Sequence, residues 1–331
     1  MGAAFLTGGS GFVGGAILRR LIADGREVRA LARSDESAAE LAAIGATVVR
    51  GDLLDHGALL AGMRGCATVF HVAGVNAMCV REPTPMMRTN VDGTAAIVRA
   101  ASAARVAKLV YTSSATTIGE LAGEIGREDT QHRGSFMSNY ERSKYLGERR
   151  ALTLGEELAL PVVCVNPSSV QGPGRVGGSA RLLIDIVNGR LPVLVNTWLS
   201  VVDIDDCTAA HVLAEHEGVP GCRYLVSGAS FEVRTAVTLL RQVSGHPRHA
   251  WFAPRALATL GGALAGIATR VTRRENGRVC PETVRTLLHG HRFDASLAER
   301  DLGLAYTPIE ATIRRTLAWY AERGLAPPPI G

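Results

Sequence analysis

The chain has 331 residues, of which 47% are hydrophobic, and a mean hydropathy of +0.13. These values describe a folded, Ala- and Gly-rich globular protein and exclude a disordered chain. The net charge of +5 and the pI near 9.0 come from basic residues spread among 31 acids, so we expect no nucleic-acid partner and relate the mild basicity to an anionic cofactor.

The chain shows no pattern typical of metal binding or of membrane insertion. The first strand begins almost at Met1, so no signal sequence is expected. The most apolar later run, residues 256–269, would extend about 21 Å as a helix, and a bilayer core is roughly 30 Å thick, so it predicts a pocket cover and no membrane span. Because the cysteines have no CxxC spacing, we expect no metal site and reduced, mostly buried thiols in a cytoplasmic protein. The six cysteines are Cys66, Cys79, Cys164, Cys207, Cys222 and Cys280.

A glycine-rich turn opens the chain between a predicted strand and a predicted helix. Residues 3–7 are apolar, and they run into the string GGSGFVGG and the helix-like AILRRLIADG. Gly8, Gly11 and Gly14 have the spacing G-x-x-G-x-x-G, which brings backbone N–H groups onto a pyrophosphate at the positive end of a helix. A flexible glycine linker would not explain the periodic apolar residues on both sides. The turn therefore predicts a dinucleotide site.

Strands and helices alternate after this unit, through VRALAR, ATVVRGD, ATVFHVAG, KLVYTSS and PVVCVNPSS. Single helices are predicted near residues 86–104 and 140–158. The alternation predicts an α/β fold, a Rossmann doubly wound parallel sheet with helices on both faces. We predict a dinucleotide-binding Rossmann domain at residues 1–167, rejoined by residues 201–228. Residues 168–200 and 229–331 would form a smaller, mostly helical substrate-binding region beyond the carboxyl ends of the strands.

Tyr140 and Lys144 stand four residues apart in the string NYERSK, after Ser114 in YTSSATTIG. On a helix these two side chains share one face, which would place the lysine ammonium beside the phenol. A tyrosine has a pKa of roughly 10, and a nearby cation lowers it toward the range needed for proton transfer. The alternatives are a surface Tyr/Lys pair and, for Ser113 and Ser114, hydroxyls that cap a turn.

Eight strings in order make the chain resemble an extended short-chain dehydrogenase/reductase over about two-thirds of its length. The VRALAR strand and NPSSVQGPG are most similar to the branch of dihydroflavonol reductases and 3-beta-hydroxysteroid dehydrogenases within the NAD-dependent epimerase/dehydratase superfamily. The strings are TGGSGFVG at 7–14, RGDLLD at 50–55, HVAG at 71–74, NVDGT at 90–94, YTSSATTIG at 111–119, YERSK at 140–144, NPSSVQGPG at 166–174 and SVVDIDDCTAAH at 200–211.

The resemblance implies a catalytic set. Tyr140 would be the general acid for carbonyl reduction, or the base for alcohol oxidation, and Lys144 would lower its pKa and hold the nicotinamide ribose. Ser114 would bond the substrate oxygen. Asn90 would support the lysine through a water-linked proton path, or alternatively would cap a helix.

The resemblance also implies a set of cofactor contacts. Asp52 would accept from the adenine amino group with Leu53 packing nearby, or would make only a turn. The remaining implied cofactor contacts are Gly8, Ser10, Gly11, Phe12, Val13, Gly14, Ala73, Gly74, Tyr140, Lys144, Pro167, Ser169 and Val170.

The end of the second strand distinguishes NADP from NAD. NAD enzymes usually carry an acid there, whereas this chain has Ala32 followed by Arg33, whose planar fork suits a 2′-phosphate. Ser34 would add a hydrogen bond. Asp35 and Glu36 could instead reach the ribose, although SDE also fits a helix start. We predict NADP, with NAD as the alternative.

Three functions remain open from the sequence. The first is an NADP-dependent reductase of a ketone or aldehyde on a small, largely apolar substrate. The second is an NAD-dependent nucleotide-sugar epimerase or dehydratase, with Arg175, Arg181, Arg190 and the cluster Arg270, Arg273, Arg274 and Arg278 as candidate diphosphate ligands. The third is a non-catalytic dinucleotide-sensing protein. The resemblance implies a homodimer through the two long helices. Candidate pocket walls, with core packing as the alternative, are Val75, Met78, Cys79, Phe136, Met137, Trp198 and Trp251.

Overall fold

The computed structural model describes residues 2–245, 250–257, 259 and 280–328. The run at 256–269 and the four arginines from Arg270 to Arg278 lie largely or wholly outside these residues. The strands are β1 (Ala3–Thr7), β2 (Val28–Ala32), β3 (Thr47–Arg50), β4 (Cys66–His71), β5 (Lys108–Thr112), β6 (Val162–Pro167), β7 (Ser169–Gln171), β8 (Val193–Val195), β9 (Trp198–Asp203), β10 (Arg223–Val226), β11 (Ala229–Glu232) and β12 (Trp251–Ala253).

Helices connect and cover these strands. They are α1 (Phe12–Ala23), α2 (Asp35–Ile44), α3 (His56–Met63), α4 (Thr84–Met87), α5 (Gly93–Ala103), α6 (Asn139–Glu157), α7 (Ser179–Val187), α8 (Ile204–His216), α9 (Val233–Ser244), α10 (Pro281–His289), α11 (Ser296–Leu302) and α12 (Ile309–Glu322). Within the described part of the chain, no helix has the length and apolar character needed to cross a membrane.

Seven strands form one sheet in the order β10-β6-β5-β4-β1-β2-β3, and each neighbouring pair is parallel. Burial on both faces explains the apolar runs, since every residue of β6 is buried. One core lies between the sheet and the side of α1, α2, α8 and α11, and a second lies under α3, α5 and α6. The predicted doubly wound parallel sheet is confirmed.

The strand order reverses between β1 and β4, which leaves a crevice at their carboxyl ends where doubly wound folds bind ligands. Beyond this edge lie a three-stranded sheet, β11-β9-β7, and the pair β12-β8. Helices α7, α9 and α12 share a separate apolar cluster. The region predicted as mostly helical therefore also contains short strands.

The helix predicted near residues 86–104 is three consecutive segments. A π-helical stretch, Arg88–Asp92, lies between α4 and α5 and carries the buried Asn90. Gly147 of α6 packs directly on this stretch, because a Cβ there would overlap the Asn90 carbonyl oxygen and lie 2.8 Å from the Tyr111 hydroxyl. Gly147 therefore permits the close approach of α6 to the π-helical stretch and to β5.

Replacing Gly147 with Ala should lower the free energy of unfolding by about 1–3 kcal/mol, because the methyl group has no space. Gly57→Ala in α3 is the matched control, since its Cβ would meet only Asp55 Oδ1 at 3.5 Å. There the change should be neutral or stabilising by roughly 0.5–1 kcal/mol, because helical glycine costs backbone entropy. Urea denaturation measures both, and equal effects at the two glycines would refute the packing argument.

Candidate active site

The glycine turn after β1 brings the backbone against the loop after β4. Gly8 has φ +73°, and a Cβ there would lie 2.6 Å from the Ala73 nitrogen. A Cβ on Gly14 would overlap the Gly8 carbonyl oxygen. Gly11 caps α1 without a side-chain hydrogen bond. The first N–H groups of α1 therefore point into the crevice, as a pyrophosphate site requires.

The neighbours of these glycines border the same crevice. Ser10 is exposed, and Val13 packs against the core. Phe12 is the first residue of α1, and the Arg175 guanidinium lies 5.6 Å from its ring centroid. Arg175 also donates to the Val170 carbonyl at 2.6 Å, so its side chain spans from the β7 region to the start of α1.

On the β4 side, Thr7 and His71 fix the loop that contains Ala73 and Gly74. The Thr7 hydroxyl bonds His71 Nδ1 at 2.8 Å, and the Ala73 N–H donates to it at 3.2 Å. Burial and the charge of Lys144 lower the pKa of His71 to about 3, so this imidazole is neutral. A Cβ on Gly74 would lie 3.2 Å from Asn90 Oδ1 and 3.7 Å from Lys144 Nζ. Ala73 and Gly74 therefore lie beside the predicted catalytic residues.

Asn90 joins three segments through its carboxamide. Its Oδ1 accepts from the Val75 N–H at 2.7 Å, and its Nδ2 donates to the Val75 carbonyl at 3.0 Å and to the Ser143 hydroxyl at 2.8 Å. Ser143 lies in α6, next to Lys144. The side chain connects the loop after β4 to α6 and does not cap a helix.

Ser114 and Tyr140 meet at the carboxyl end of β5. Ser114 begins a 3-10 turn, Ala115–Ile118, and its hydroxyl bonds Thr116 Oγ1 at 3.0 Å. Burial raises the pKa of Tyr140, while a hydrogen bond with Ser114 and the charge of Arg175 act in the opposite direction. The structure thus brings the serine and the phenol together, and it adds Arg175 as the cation whose charge acts on the phenol.

Lys144 is buried, and its ammonium points to the strand side of α6. Its Nζ donates to the Thr112 carbonyl at 2.7 Å and to the Tyr111 hydroxyl at 3.1 Å. The sequence predicted that it lies against the Tyr140 phenol and lowers its pKa. In the structure these two acceptors on β5 hold the ammonium, and the pKa of Tyr140 is raised. An ammonium has three donors, so one remains for a ligand beside Gly74.

Glu148, one helical turn after Lys144, is a functional candidate that the sequence analysis missed. It is fully buried and accepts from Thr117 Oγ1 at 3.0 Å and Asn166 Nδ2 at 2.5 Å, and it pairs with Arg223 at 3.2 Å. Burial lowers the pKa of Lys144 to about 8, and the charge of Glu148 opposes that fall. The i, i+4 spacing of these residues was the available signal.

The adenosine end of the crevice is defined by the ends of β2 and β3. Arg33 is exposed, and Ser34 caps α2 by accepting from the Ser37 N–H at 3.2 Å. Arg50, also missed, pairs with Ala32 in register and donates to the Ser34 carbonyl at 2.5 Å and to Asp35 Oδ1 at 2.8 Å. Asp35, the first residue of α2, is therefore bonded to Arg50.

The next loop contains Asp52 and Leu53. Asp52 Oδ1 accepts from the Leu54 N–H at 2.7 Å, which is the turn contact considered as the alternative. The residue is exposed, so its other oxygen can still meet a ligand. Leu53 packs against Gly93 at the start of α5.

Pro167, Ser169 and Val170 form the far wall, where β6 leads into β7. Pro167 and Val170 are buried. The Ser169 hydroxyl donates to Ser179 at 2.9 Å and accepts from Gln171 Nε2 at 2.9 Å. The buried hydroxyls of Ser113 and Ser168 lack a hydrogen-bond partner among the described residues, which leaves two polar groups at this edge for a ligand.

The expectation that all six cysteines are free thiols is wrong for two of them. Cys79, in the loop after β4, and Cys280, which caps α10, form a disulfide across 201 residues of sequence. The fold brings the two segments together, and the spacing of the cysteines along the sequence did not predict this proximity. The other four are free, with Cys222 exposed and the rest buried.

A carboxylate strengthens the same junction. Glu282 of α10 accepts from the Cys79 N–H at 3.0 Å, and from the Asn139 N–H and Nδ2 at 3.0 and 2.8 Å. Asn139 is the first residue of α6 and precedes Tyr140. The start of α10 is therefore fixed beside the catalytic helix.

An open groove runs along this junction. Among the candidate walls, Phe136 and Met137 line it, whereas Trp251 is 81% exposed and Trp198 stacks under Arg292 at 4.0 Å. Trp251 is therefore not a buried wall in this structure. The lining residues are Phe136, Met137, Ser138, Asn139, Arg142, Glu282 and Arg285.

Comparisons with known proteins identify the family of the chain. The model of the NAD dependent epimerase/dehydratase family matches residues 4–226. The 2-alkyl-3-oxoalkanoate reductase of Shewanella oneidensis is 33% identical over 95% of this chain and 85% of its own length. The dihydroflavonol 4-reductase of Zea mays is 28% identical over 72% of this chain and 74% of its own.

A solved structure agrees as well. The crystal structure of gox2253 superposes with a TM-score of 0.85 at 29% identity, over 98% of this chain and 99% of that one. The chain belongs to the NAD dependent epimerase/dehydratase family, in its extended short-chain dehydrogenase/reductase branch, and is an oxidoreductase.

Proposed function

We propose that the protein is an NADP-dependent reductase of a ketone or aldehyde on a small, largely apolar molecule, and that it oxidises the alcohol in reverse. The observation that carries this proposal is that Ser114 meets Tyr140, and Lys144 lies beside Gly74, around the carboxyl end of β5. The crevice between β1 and β4 leads to that point, so a dinucleotide lying along it would end at the catalytic residues.

Each residue has a distinct role in this proposal. The nicotinamide supplies a hydride to the carbonyl carbon when it is bound. Ser114 donates a hydrogen bond to the carbonyl oxygen, and Tyr140 gives its proton to the alkoxide as it forms. Lys144 uses its remaining donor for the nicotinamide ribose and stabilises the phenolate left on Tyr140. Asn90 positions Lys144 through Ser143.

The adenosine end favours NADP. Arg33 is exposed at the end of β2, and no acceptor among the described residues pairs with its guanidinium. Asp35, the acid that would compete for a ribose, is bonded to Arg50. Two arginines and the positive end of α2 suit a 2′-phosphate. Asp52 would meet the adenine through its free oxygen, with Leu53 packing nearby.

For the substrate, a 2-alkyl-3-oxo acid is the first class to test. Arg175 lies close enough to act on Tyr140, and such an acid carries a carboxylate near its ketone. Phe136 and Met137 supply apolar surface beside the same helix. We assign substrate binding to residues 168–200 and 229–331, because these segments lie beyond the carboxyl edge of the Rossmann sheet.

The epimerase alternative needs a cluster of free arginines to bind a diphosphate, and the described part of the chain contains no such cluster. Arg181 and Arg190 both lie near Asp185, at 3.4 and 3.6 Å, which leaves Arg175 without a second free arginine beside it among these candidates. The complete Ser114, Tyr140 and Lys144 set argues against a non-catalytic sensor.

Two further proposals concern the state of the protein. The resemblance favours a homodimer through α5 and α6. A cytoplasmic location stays a proposal, and the Cys79–Cys280 disulfide opposes it, since disulfides persist mainly in oxidising compartments.

Replacing Tyr140 with Phe should lower kcat for ketone reduction by about 100- to 10,000-fold, because the general acid is lost. NADPH binding, followed by fluorescence, should remain within a few-fold of wild type. Tyr145→Phe, five residues further along α6, is the control, and it should keep near-normal turnover. Unchanged turnover in Tyr140→Phe would refute the catalytic role.

Replacing Arg33 with Ala should raise KM for NADPH at least about tenfold and leave KM for NADH nearly unchanged, because only NADPH loses a charge-assisted phosphate contact. Arg64→Ala, at another exposed arginine, is the control. Steady-state kinetics with both cofactors measures the ratio, and an equal effect on both would contradict the NADP assignment.

The pH dependence of kcat/KM should follow the protonation of the Lys144 amine. Its pKa of about 8 means that the amine is charged below that pH and neutral above it, so kcat/KM for reduction should fall as the pH rises through about 8. Glu148→Gln removes a charge that raises this pKa, so the alkaline limb should move to lower pH. Glu156→Gln, exposed at the other end of α6, should leave the limb in place. A limb that Glu148→Gln does not move would disprove the coupling.

A further inference from the structure

Three side chains with metal-binding atoms meet outside the catalytic set. Glu120 follows the 3-10 turn that begins at Ser114, while His289 ends α10 and His291 follows two residues later. Glu120 Oε1 lies 2.6 Å from His291 Nδ1 and 3.5 Å from His289 Nε2. One donor atom from each residue falls within a group no wider than 4.8 Å.

The cluster is buried and only partly bonded. The side chains of Glu120, His289 and His291 are 1%, 8% and 13% exposed. Glu120 Oε2 and His291 Nε2 have no hydrogen-bond partner among the described residues. Burying a carboxylate oxygen without a partner is costly, so an unpartnered oxygen beside two imidazoles indicates a missing positive ligand.

The nearest fixed cation does not fill this need. Arg133 donates to the backbone carbonyl of Glu120 at 3.3 Å, and its guanidinium pairs with the buried Glu141. The Glu120 side chain is therefore left to the two histidines.

The histidines are held in place by their surroundings. Gly290 between them has φ +72°, and a Cβ there would overlap Thr197 Oγ1. The imidazoles lie side by side with centroids 4.9 Å apart, and His291 stacks on Phe293. Ser200 donates to the His291 carbonyl at 2.9 Å. These contacts therefore hold both imidazoles in place against the Glu120 carboxylate.

We propose that Glu120, His289 and His291 bind one Zn²⁺ ion. Two imidazoles and one carboxylate form a common zinc ligand set, and three protein ligands leave a fourth position for water or another ligand. The sequence did not predict this cluster, because His291 lies 171 residues from Glu120. The proposal replaces the expectation that the chain has no metal site.

An ion at this position would help to hold α10 in place. Glu282 and Cys280 already fix the start of α10 to α6 and to the loop after β4. Zinc at His289 would fix the other end of α10 to the loop that carries Ser114. Helix α10, which lines the groove, would then be held at both ends.

Zinc binding to the untagged full chain tests the proposal without using activity. After chelator treatment and dialysis, we expect one Zn²⁺ per chain in a titration against a chromophoric chelator. Glu120→Gln, His289→Gln and His291→Gln should each weaken binding by about 100-fold or more. His216→Gln is the matched control, because His216 lies 3.7 Å from Glu215 and forms another histidine–carboxylate pair. It should bind as wild type does.

Cobalt keeps the test decisive if a variant fails to fold, which circular dichroism would show. Co²⁺ added to the wild-type protein should give visible absorption bands that one equivalent of Zn²⁺ abolishes. A folded wild-type protein that binds no Zn²⁺, or folded variants that bind as wild type does, would overturn the proposal.

Discussion

The carboxamide of Asn90 bonds the loop after β4 on one side and α6 on the other, and the placement of the catalytic residues depends on it. A regular α-helix from 84 to 103 would rotate this side chain away, so the π-helical stretch is part of the arrangement. Gly147 lets α6 approach closely enough for the bond to form. The crevice proposed for the dinucleotide and the residues proposed for proton transfer, which belong to different segments, therefore meet at one place.

The burial of the charged side chains of Lys144 and Glu148 is the second constraint on this site. Lys144 loses solvation inside the protein, and its two acceptors on β5 together with the charge of Glu148 compensate in part. The result is an amine whose pKa lies near physiological pH, which suits a group that must stabilise a transient phenolate. Glu148 is itself held by Arg223, so the charge beside the catalytic lysine is connected to the edge strand β10.

The sequence predicted the parallel sheet, the glycine turn and the family, because each depends on local spacing and strand periodicity. The family resemblance also assigned Ser114 and Tyr140 to one catalytic set, which stays a prediction. Residues that matter through tertiary contact were not predicted. The charge of Arg175, in the segment after β7, acts on the Tyr140 phenol, Arg50 bonds Asp35 across neighbouring strands, and Cys79 joins Cys280 over 201 residues. The bonds from the Lys144 ammonium to Thr112 and Tyr111 were also not predicted, because they depend on acceptors that only the folded β5 supplies, and its predicted role beside Tyr140 stays a prediction.

The proposed reaction is hydride transfer from NADPH to a carbonyl carbon with net reduction. The most direct test is to incubate it with a 2-alkyl-3-oxo acid and NADPH deuterated at the transferred C4 position, and to weigh the product by mass spectrometry. We expect an alcohol that carries one deuterium at the former carbonyl carbon, with one equivalent of NADP⁺ formed per alcohol. Nucleotide sugars that are converted with no net consumption of cofactor, while ketones and aldehydes are left unreduced, would contradict it.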